Sequence, residues 1–259
     1  MNFGFEILQG DCIERIHELA KRGRKFDAVV ADPPYCSGAS TPAAVARGGN
    51  IKKYSDLRDV GSFNDVMSQR AFCEFNREWL CAARSVLKSP GYLFVFIDWR
   101  QLPTVTDAIQ AAGYVWRGIC VWNKRNSRPN PGHFSQQSEF ICWATADAKK
   151  SNKVIPKNVF ECAAPRVQDR IHPTQKEPTV IAELLKILPD DAEAVLDPFS
   201  GSGSTGVAAL SLGLSYTGIE EQEYYCDVSK GRLQATFDRY VESGVFTDMK
   251  RADKTPKLF

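Results

Sequence analysis

The chain has 259 residues, of which 43% are hydrophobic and 25% charged, enough for one large α/β domain or two small ones around a substantial core. That balance is ordinary for a soluble globular protein, and no apolar stretch approaches the length needed to span a bilayer. The formal net charge of +2 is too small to indicate nucleic acid by itself.

The opening residues MNFGFEILQGDC carry neither a basic leader nor a small-residue cleavage site, so the expectation is a cytoplasmic protein. Phe5–Leu8 reads as a short strand and Ile13–Ala20 as a helix. Asp27–Ala31 (DAVVA) reads as a buried strand that runs directly into Asp32-Pro33-Pro34-Tyr35. Residues 36–62 carry Gly38, Gly48, Gly49 and Gly61 without sustained periodicity, which predicts a long mobile loop. From Ala71, apolar residues at Phe72, Phe75, Trp79, Leu80, Ala83, Val86 and Leu87 fall at helical spacing, and Ser89-Pro90-Gly91 is expected to stop that helix.

Tyr92–Ile97 (YLFVFI) is a candidate central strand, followed by a helix that starts at Pro103 and ends near Gly113. Tyr114–Trp122 and Glu139–Thr145 are further strands, with polar, basic, irregular stretches at 123–138 and 146–170. A helix from Pro178 ends by Pro189, and the strand Ala194–Leu196 leads into DPFSGSGSTG. A helix at about 205–212, a strand Tyr216–Ile219 and a helix at about 224–241 complete the pattern. Strands joined by helices imply a mostly parallel sheet covered on both faces.

The eight cysteines contain no C-x-x-C pair, so buried reduced thiols are expected rather than a metal site or disulfide framework. Charge is uneven. Between Lys124 and Lys176 stand ten basic residues against four acidic ones, a local excess of +6 that suits either a solvated surface or a phosphate-binding face.

Two short segments carry chemistry. Gly201, Gly203 and Gly206 satisfy G-x-G-x-x-G between a strand and a helix, where backbone can approach a ligand at the positive helix end. Glu220, at the end of the next strand, is placed to accept hydrogen bonds from ribose hydroxyls, and Val207 in place of lysine excludes a Walker-type loop. In Asp32-Pro33-Pro34-Tyr35, the prolines hold the backbone extended and remove two donors. The Asp32 carboxylate and the Pro33 carbonyl can then grip both hydrogens of an aromatic amino group. That favours a pyramidal nitrogen with its lone pair aimed at an electrophile. Tyr35 offers a ring face for a displaced base.

These residues resemble the DNA amino-methyltransferases of the circularly permuted β class, in which D-P-P-Y precedes F-x-G-x-G; here the latter is Phe199-Ser200-Gly201-Ser202-Gly203. His172-Pro173-Thr174-Gln175-Lys176, Gly10-Asp11-Cys12 and Trp122-Asn123-Lys124 also resemble that class, and the likeness covers most of residues 5–240. It implies a single methyltransferase domain over 1–259 with a Rossmann-like fold, a mixed seven-stranded sheet with helices on both faces. The cofactor implied is S-adenosylmethionine, and the reaction is methylation of the N6 amino group of a flipped-out adenine. Asp32, Pro33, Pro34 and Tyr35 would be catalytic.

By the same resemblance, Phe199, Gly201, Gly203, Ser204 and Thr205 would wrap the methionine part of the cofactor, with Asp32 at its reacting end. Glu220 would hold the ribose, Asp11 and Cys12 the adenine, and Lys176 with Thr174 the carboxylate. His172 stands equally well as structural or functional. Double-stranded DNA is the implied partner, met by Lys52, Lys53, Lys124, Arg125, Arg128, Arg166 and Arg170, with a small target-recognition region within about 125–170. A homodimer, no metal, no membrane and a bacterial or phage origin with nucleoid association complete the expectation. Methylation of RNA or of a protein glutamine amide, and a DNA-binding protein without activity, are the competing readings.

Overall fold

The computed structural model describes residues 3–35, 67–125, 131–148, 154–163 and 175–242. Among these residues, eight strands and six helices alternate through the chain: β1 (Phe5–Gln9), α1 (Cys12–Lys21), β2 (Phe26–Ala31), α2 (Gln69–Val86), β3 (Leu87–Ile97), α3 (Leu102–Ala111) and β4 (Val115–Asn123), then β5 (Ser138–Thr145), β6 (Val159–Glu161), α4 (Pro178–Leu185), β7 (Ala194–Asp197), α5 (Ser204–Ser211), β8 (Ser215–Glu220) and α6 (Glu223–Glu242). The strands form one sheet in the order β1-β8-β7-β2-β3-β5-β4-β6. All neighbours are parallel except the two pairings made by β5.

β2 has no polar face, with every residue buried, as a parallel strand covered on both sides requires. Alternate residues point to two separate cores. Val29 and Ala31, with Leu93, Val95 and Ile97 of β3, pack under α1, α2 and α3. Ala28 and Val30, with Tyr92, Phe94 and Phe96, pack under α4, α5 and Leu233 of α6. Each core holds several fully buried large side chains, at ~1.5–3 kcal/mol apiece. Asp27 is the polar exception in β2: its Oδ2 accepts from Lys88 Nζ (3.0 Å) and from the amides of Glu193 (2.8 Å) and Ala194 (3.0 Å), which ties the start of β7 to β2.

Helix starts follow the expected chemistry. Asp11 caps α1 through Oδ1, which accepts from the amides of Ile13 and Glu14. Ser68 caps α2 through the Ala71 amide, and Pro178 opens α4.

The sheet departs from the expected one in two places. It has an eighth strand: Val159–Glu161, from a stretch expected to be irregular, pairs with Val121–Asn123 and extends the sheet beyond β4. β3 also begins at Leu87, before the Ser-Pro-Gly breaker. Phe26 pairs with Leu87 and the register then jumps, with pairing resumed at Ala28 and Tyr92.

This topology decides where chemistry happens. The ends of β1, β8, β7, β2, β3 and β4 lie along one edge of the sheet. Because β5 runs the other way, its first residues lie there too.

Candidate active site

Asp32-Pro33-Pro34-Tyr35 leaves the carboxyl end of β2, and Pro198-Phe199-Ser200-Gly201 leaves the end of β7, its immediate neighbour. Both segments expected to act together are therefore side by side.

The glycine-rich loop is shaped by backbone that favours glycine. Gly201 and Gly203 have φ of 49° and 79°. A Cβ on Gly203 would also approach Ser229 Cβ to 3.2 Å, and one on Gly206 would meet Leu233 Cδ2 at 2.5 Å and Tyr216 Cε1 at 2.7 Å. These contacts let α5 sit close against α6 and β8. Gly203 is the N-cap of α5 and supplies no side-chain cap, so the first-turn amides are offered to a ligand anion. Glu220 ends β8 beside the loop and steadies it: its carboxylate accepts from the Gly201 amide (2.8 Å) and the Gln222 amide (3.0 Å). Each oxygen retains acceptor capacity for hydroxyl groups. Phe199 stands edge-on to Trp79, with ring centroids 5.3 Å apart, and is tilted against Phe75. Cys12 is buried as the first residue of α1, and burial pushes its thiol up to about 12, which makes it an inert wall. Open amides, acceptors for hydroxyls and an apolar wall fit an amino acid joined to a nucleoside, as in S-adenosylmethionine.

Beside this cradle lies a buried polar cluster. The Tyr35 hydroxyl is 2.7 Å from Asp32 Oδ1 and 2.6 Å from Glu139 Oε1. Lys176 Nζ reaches the same two oxygens, at 3.0 and 2.8 Å, and lies over the rings of Tyr35 (5.0 Å) and Phe96 (5.6 Å). Lys124 Nζ pairs with Glu139 Oε2. Burial raises Asp32 above the usual carboxylate range; Lys176 opposes this and the Glu139 charge adds to it. Burial also acts to raise Glu139, but the two lysines outweigh it and hold that carboxyl down at about 2. Burial acts to lower Lys176, and Asp32 and Glu139 overcome it and raise the ammonium. The environments push the two carboxyls apart, so a proton entering the cluster goes to Asp32.

The remaining expected residues take these places in the structure. Among the described residues, Lys176, expected at the cofactor carboxylate, forms ion pairs with Asp32 and Glu139. Lys124, expected to meet DNA, is paired with Glu139 and lies 5.3 Å from the Trp122 ring. It supplies the buried Glu139 carboxylate with a counter-charge while its own side chain stays about a third exposed. Arg125 is exposed and pairs with Glu161. Asp11 caps α1. Lys52, Lys53, Arg128, Arg166, Arg170, His172, Thr174 and the 36–62 loop lie outside the described residues.

Glu139 is the group that the sequence pattern did not single out. Its one signal is a lone carboxylate opening the otherwise apolar strand EFICWAT. Asp197 is a second such group: it is buried, accepts from the Phe199 amide (2.9 Å), and burial pushes it up to about 7. Among the described residues, no group of His, Cys, Asp and Glu could hold a metal ion, and no helix is long and apolar enough to cross a membrane.

Residues 26–231 match the family model described as DNA methylase. The Type II methyltransferase M.HinfI of Haemophilus influenzae is 29% identical over 250 residues, covering 88% of this chain and 68% of that protein. The Type II methyltransferase M2.MboI of Moraxella bovis is 28% identical over 248 residues, covering 88% and 87%. Among solved structures, the M1.HpyAVI–SAM complex superposes with a TM-score of 0.64 at 24% identity, over 88% of this chain and 98% of that one. The chain belongs to the DNA methylase family and is an S-adenosylmethionine-dependent DNA methyltransferase.

Proposed function

We propose that this DNA methyltransferase acts on the N6 amino group of an adenine flipped out of double-stranded DNA, with Asp32, Pro33, Pro34 and Tyr35 as its base-binding segment. The observation that carries the reading is adjacency: the acceptor-rich turn after β2 and the glycine cradle after β7 open side by side at one sheet edge. A base amino group at Asp32 is then within reach of a ligand held by the cradle.

S-adenosylmethionine, when bound, supplies an electrophilic methyl group on a sulfonium. Gly201, Gly203, Ser204, Thr205 and the open amides of α5 would hold its amino-acid end. Glu220 would take the ribose hydroxyls, Asp11 and Cys12 the adenine, and Phe199 the apolar middle. Asp32 and the Pro33 carbonyl would each accept one hydrogen of the target amino group, turning the nitrogen lone pair out of the ring plane. Tyr35 would stack on the extruded base. Proton affinity above the carboxylate norm suits Asp32 to take the surplus proton, since ionised Glu139 beside it cannot compete.

Adenine is preferred to cytosine on the resemblance of the D-P-P-Y tetrad. Exposed Arg125, with the basic residues at 128, 166 and 170, would meet phosphate, and the region within about 125–170 would read the target within a single methyltransferase domain. So short a reader gains contact from a second subunit, so the active form is read as a homodimer, which light scattering at 28.9 kDa with and without DNA would contradict. The setting is cytoplasmic, on bacterial or phage DNA. The test is transfer of labelled methyl to DNA, RNA and protein in parallel. The expected result is label in double-stranded DNA, and preferential label in RNA or protein would overturn the reading.

A further inference from the structure

We propose that Glu139 is a positioning residue for methyl transfer, fixing Tyr35 and Lys176 around Oδ1 of Asp32 so that Oδ2 faces the target amino group. This rests on reading Asp32 and Tyr35 as the base-binding pair.

Four atoms from distant parts of the chain form a closed ring: Asp32 Oδ1, Tyr35 Oη, Glu139 Oε1 and Lys176 Nζ, joined at 2.7, 2.6, 2.8 and 3.0 Å. Antiparallel β5 makes this possible, because Glu139 enters at the edge where β2, β3 and β4 leave; its register partner is Trp122. Both Glu139 oxygens are engaged, Oε1 by Tyr35 and Lys176 and Oε2 by Lys124. Its side chain is only 5% exposed and has nowhere to turn. Asp32 is different. Its ring contacts both fall on Oδ1, and its side chain is 23% exposed. Oδ1 therefore carries the ring contacts, and Oδ2 takes no part in the ring.

The phenol explains why a second carboxylate is needed. A stacking ring that rotated freely would lose ordering entropy each time a base arrived. Held at its hydroxyl by Glu139, and with the Lys176 ammonium over one face, Tyr35 presents a fixed opposite face. Glu139 also balances charge. Two ammoniums face two carboxylates, and without Glu139 the excess positive charge would bind Asp32 more tightly and make it a poorer proton acceptor.

The experiment compares wild type, Glu139→Gln, Tyr35→Phe and the double variant for kcat, KM for DNA, cofactor affinity by calorimetry, melting temperature and the pH dependence of kcat. Glu139→Gln is expected to lower kcat on the order of 10–100-fold, with cofactor affinity within about threefold of wild type. Its acid limb should move to lower pH, because the charge that raises Asp32 is gone. The double variant should be little slower than the slower single one, as expected for coupled residues. Glu139→Asp keeps the charge but shortens the reach to Tyr35; it should retain the melting temperature and lose kcat.

Wild-type kcat in Glu139→Gln or Glu139→Asp, or multiplicative losses in the double variant, would overturn the proposal. Parallel loss of cofactor affinity and melting temperature in both Glu139 variants would also overturn it, by making Glu139 merely structural. If wild type itself fails to methylate DNA, the base-binding reading falls and this inference with it. An active wild type with indifferent Glu139 variants overturns this inference alone.

Discussion

Replacing Lys176 with methionine should destabilise the fold strongly, and the loss should depend on pH. Lys176 is 8% exposed and lies within 3.0 Å of two carboxylates. Removing one partner from a buried ion pair costs about 3–5 kcal/mol, because the remaining charge stays desolvated. Here Lys124 still pairs with Glu139, so the uncompensated charge falls on Asp32. In wild type, Glu139 is held at about 2, below its ordinary value. It therefore stabilises the fold above its ordinary titration range and loses that contribution as pH falls through about 2. Without Lys176 both carboxyls rise, and Asp32, already raised, takes a proton first. The destabilisation should be largest at pH 8 and smaller at pH 5, where protonation removes the buried charge. Urea unfolding at the two pH values measures this directly. A loss under about 1 kcal/mol, or one equal at both pH values, would refute the argument.

Other outcomes follow from the same geometry. Asp32→Ala should abolish methyl transfer while calorimetry finds cofactor affinity intact, and Tyr35→Ala should weaken base capture by roughly 1–3 kcal/mol, read as KM for DNA. Gly203→Val places a branched side chain at φ 79° with its Cβ 3.2 Å from Ser229, and Glu220→Ala frees the Gly201 amide; both should weaken cofactor binding by calorimetry, and normal binding in both would remove the loop from the account. Asp197 has its folded value raised to about 7 from 3.8, so its stabilisation is full below about 4 and lost as pH rises through 7; Asp197→Asn should therefore raise stability at pH 8 relative to pH 5 by on the order of 2–4 kcal/mol, measured by urea melts.

The sequence was most legible where local pattern and chemistry coincide. The buried run DAVVA, the helical spacing of α2 and the glycines after β7 are each decided within a few residues, and all appear in the structure. Their adjacency was legible only through the resemblance, since nothing local says that β2 and β7 are neighbours. The start of β3 is not legible, because Ser89-Pro90-Gly91 carries the composition of a stop, whereas here the strand accommodates it as a shift in register. The polar cluster was the least legible part. Asp32, Lys124, Glu139 and Lys176 come from four separate segments, and each alone looks like an ordinary charge. Only the antiparallel course of β5 brings Glu139 to the edge where the others meet, and there it pairs with Lys124.

The most direct test of the central claim is to incubate DNA with wild type and Asp32→Ala in the presence of S-adenosylmethionine, digest it to nucleosides, and weigh the products by mass spectrometry. The account predicts N6-methyladenine with wild type and no methylated nucleoside with Asp32→Ala. N4-methylcytosine as the main product would contradict the choice of base. Methylated nucleoside from Asp32→Ala at the wild-type level would contradict the placement of the reaction at Asp32.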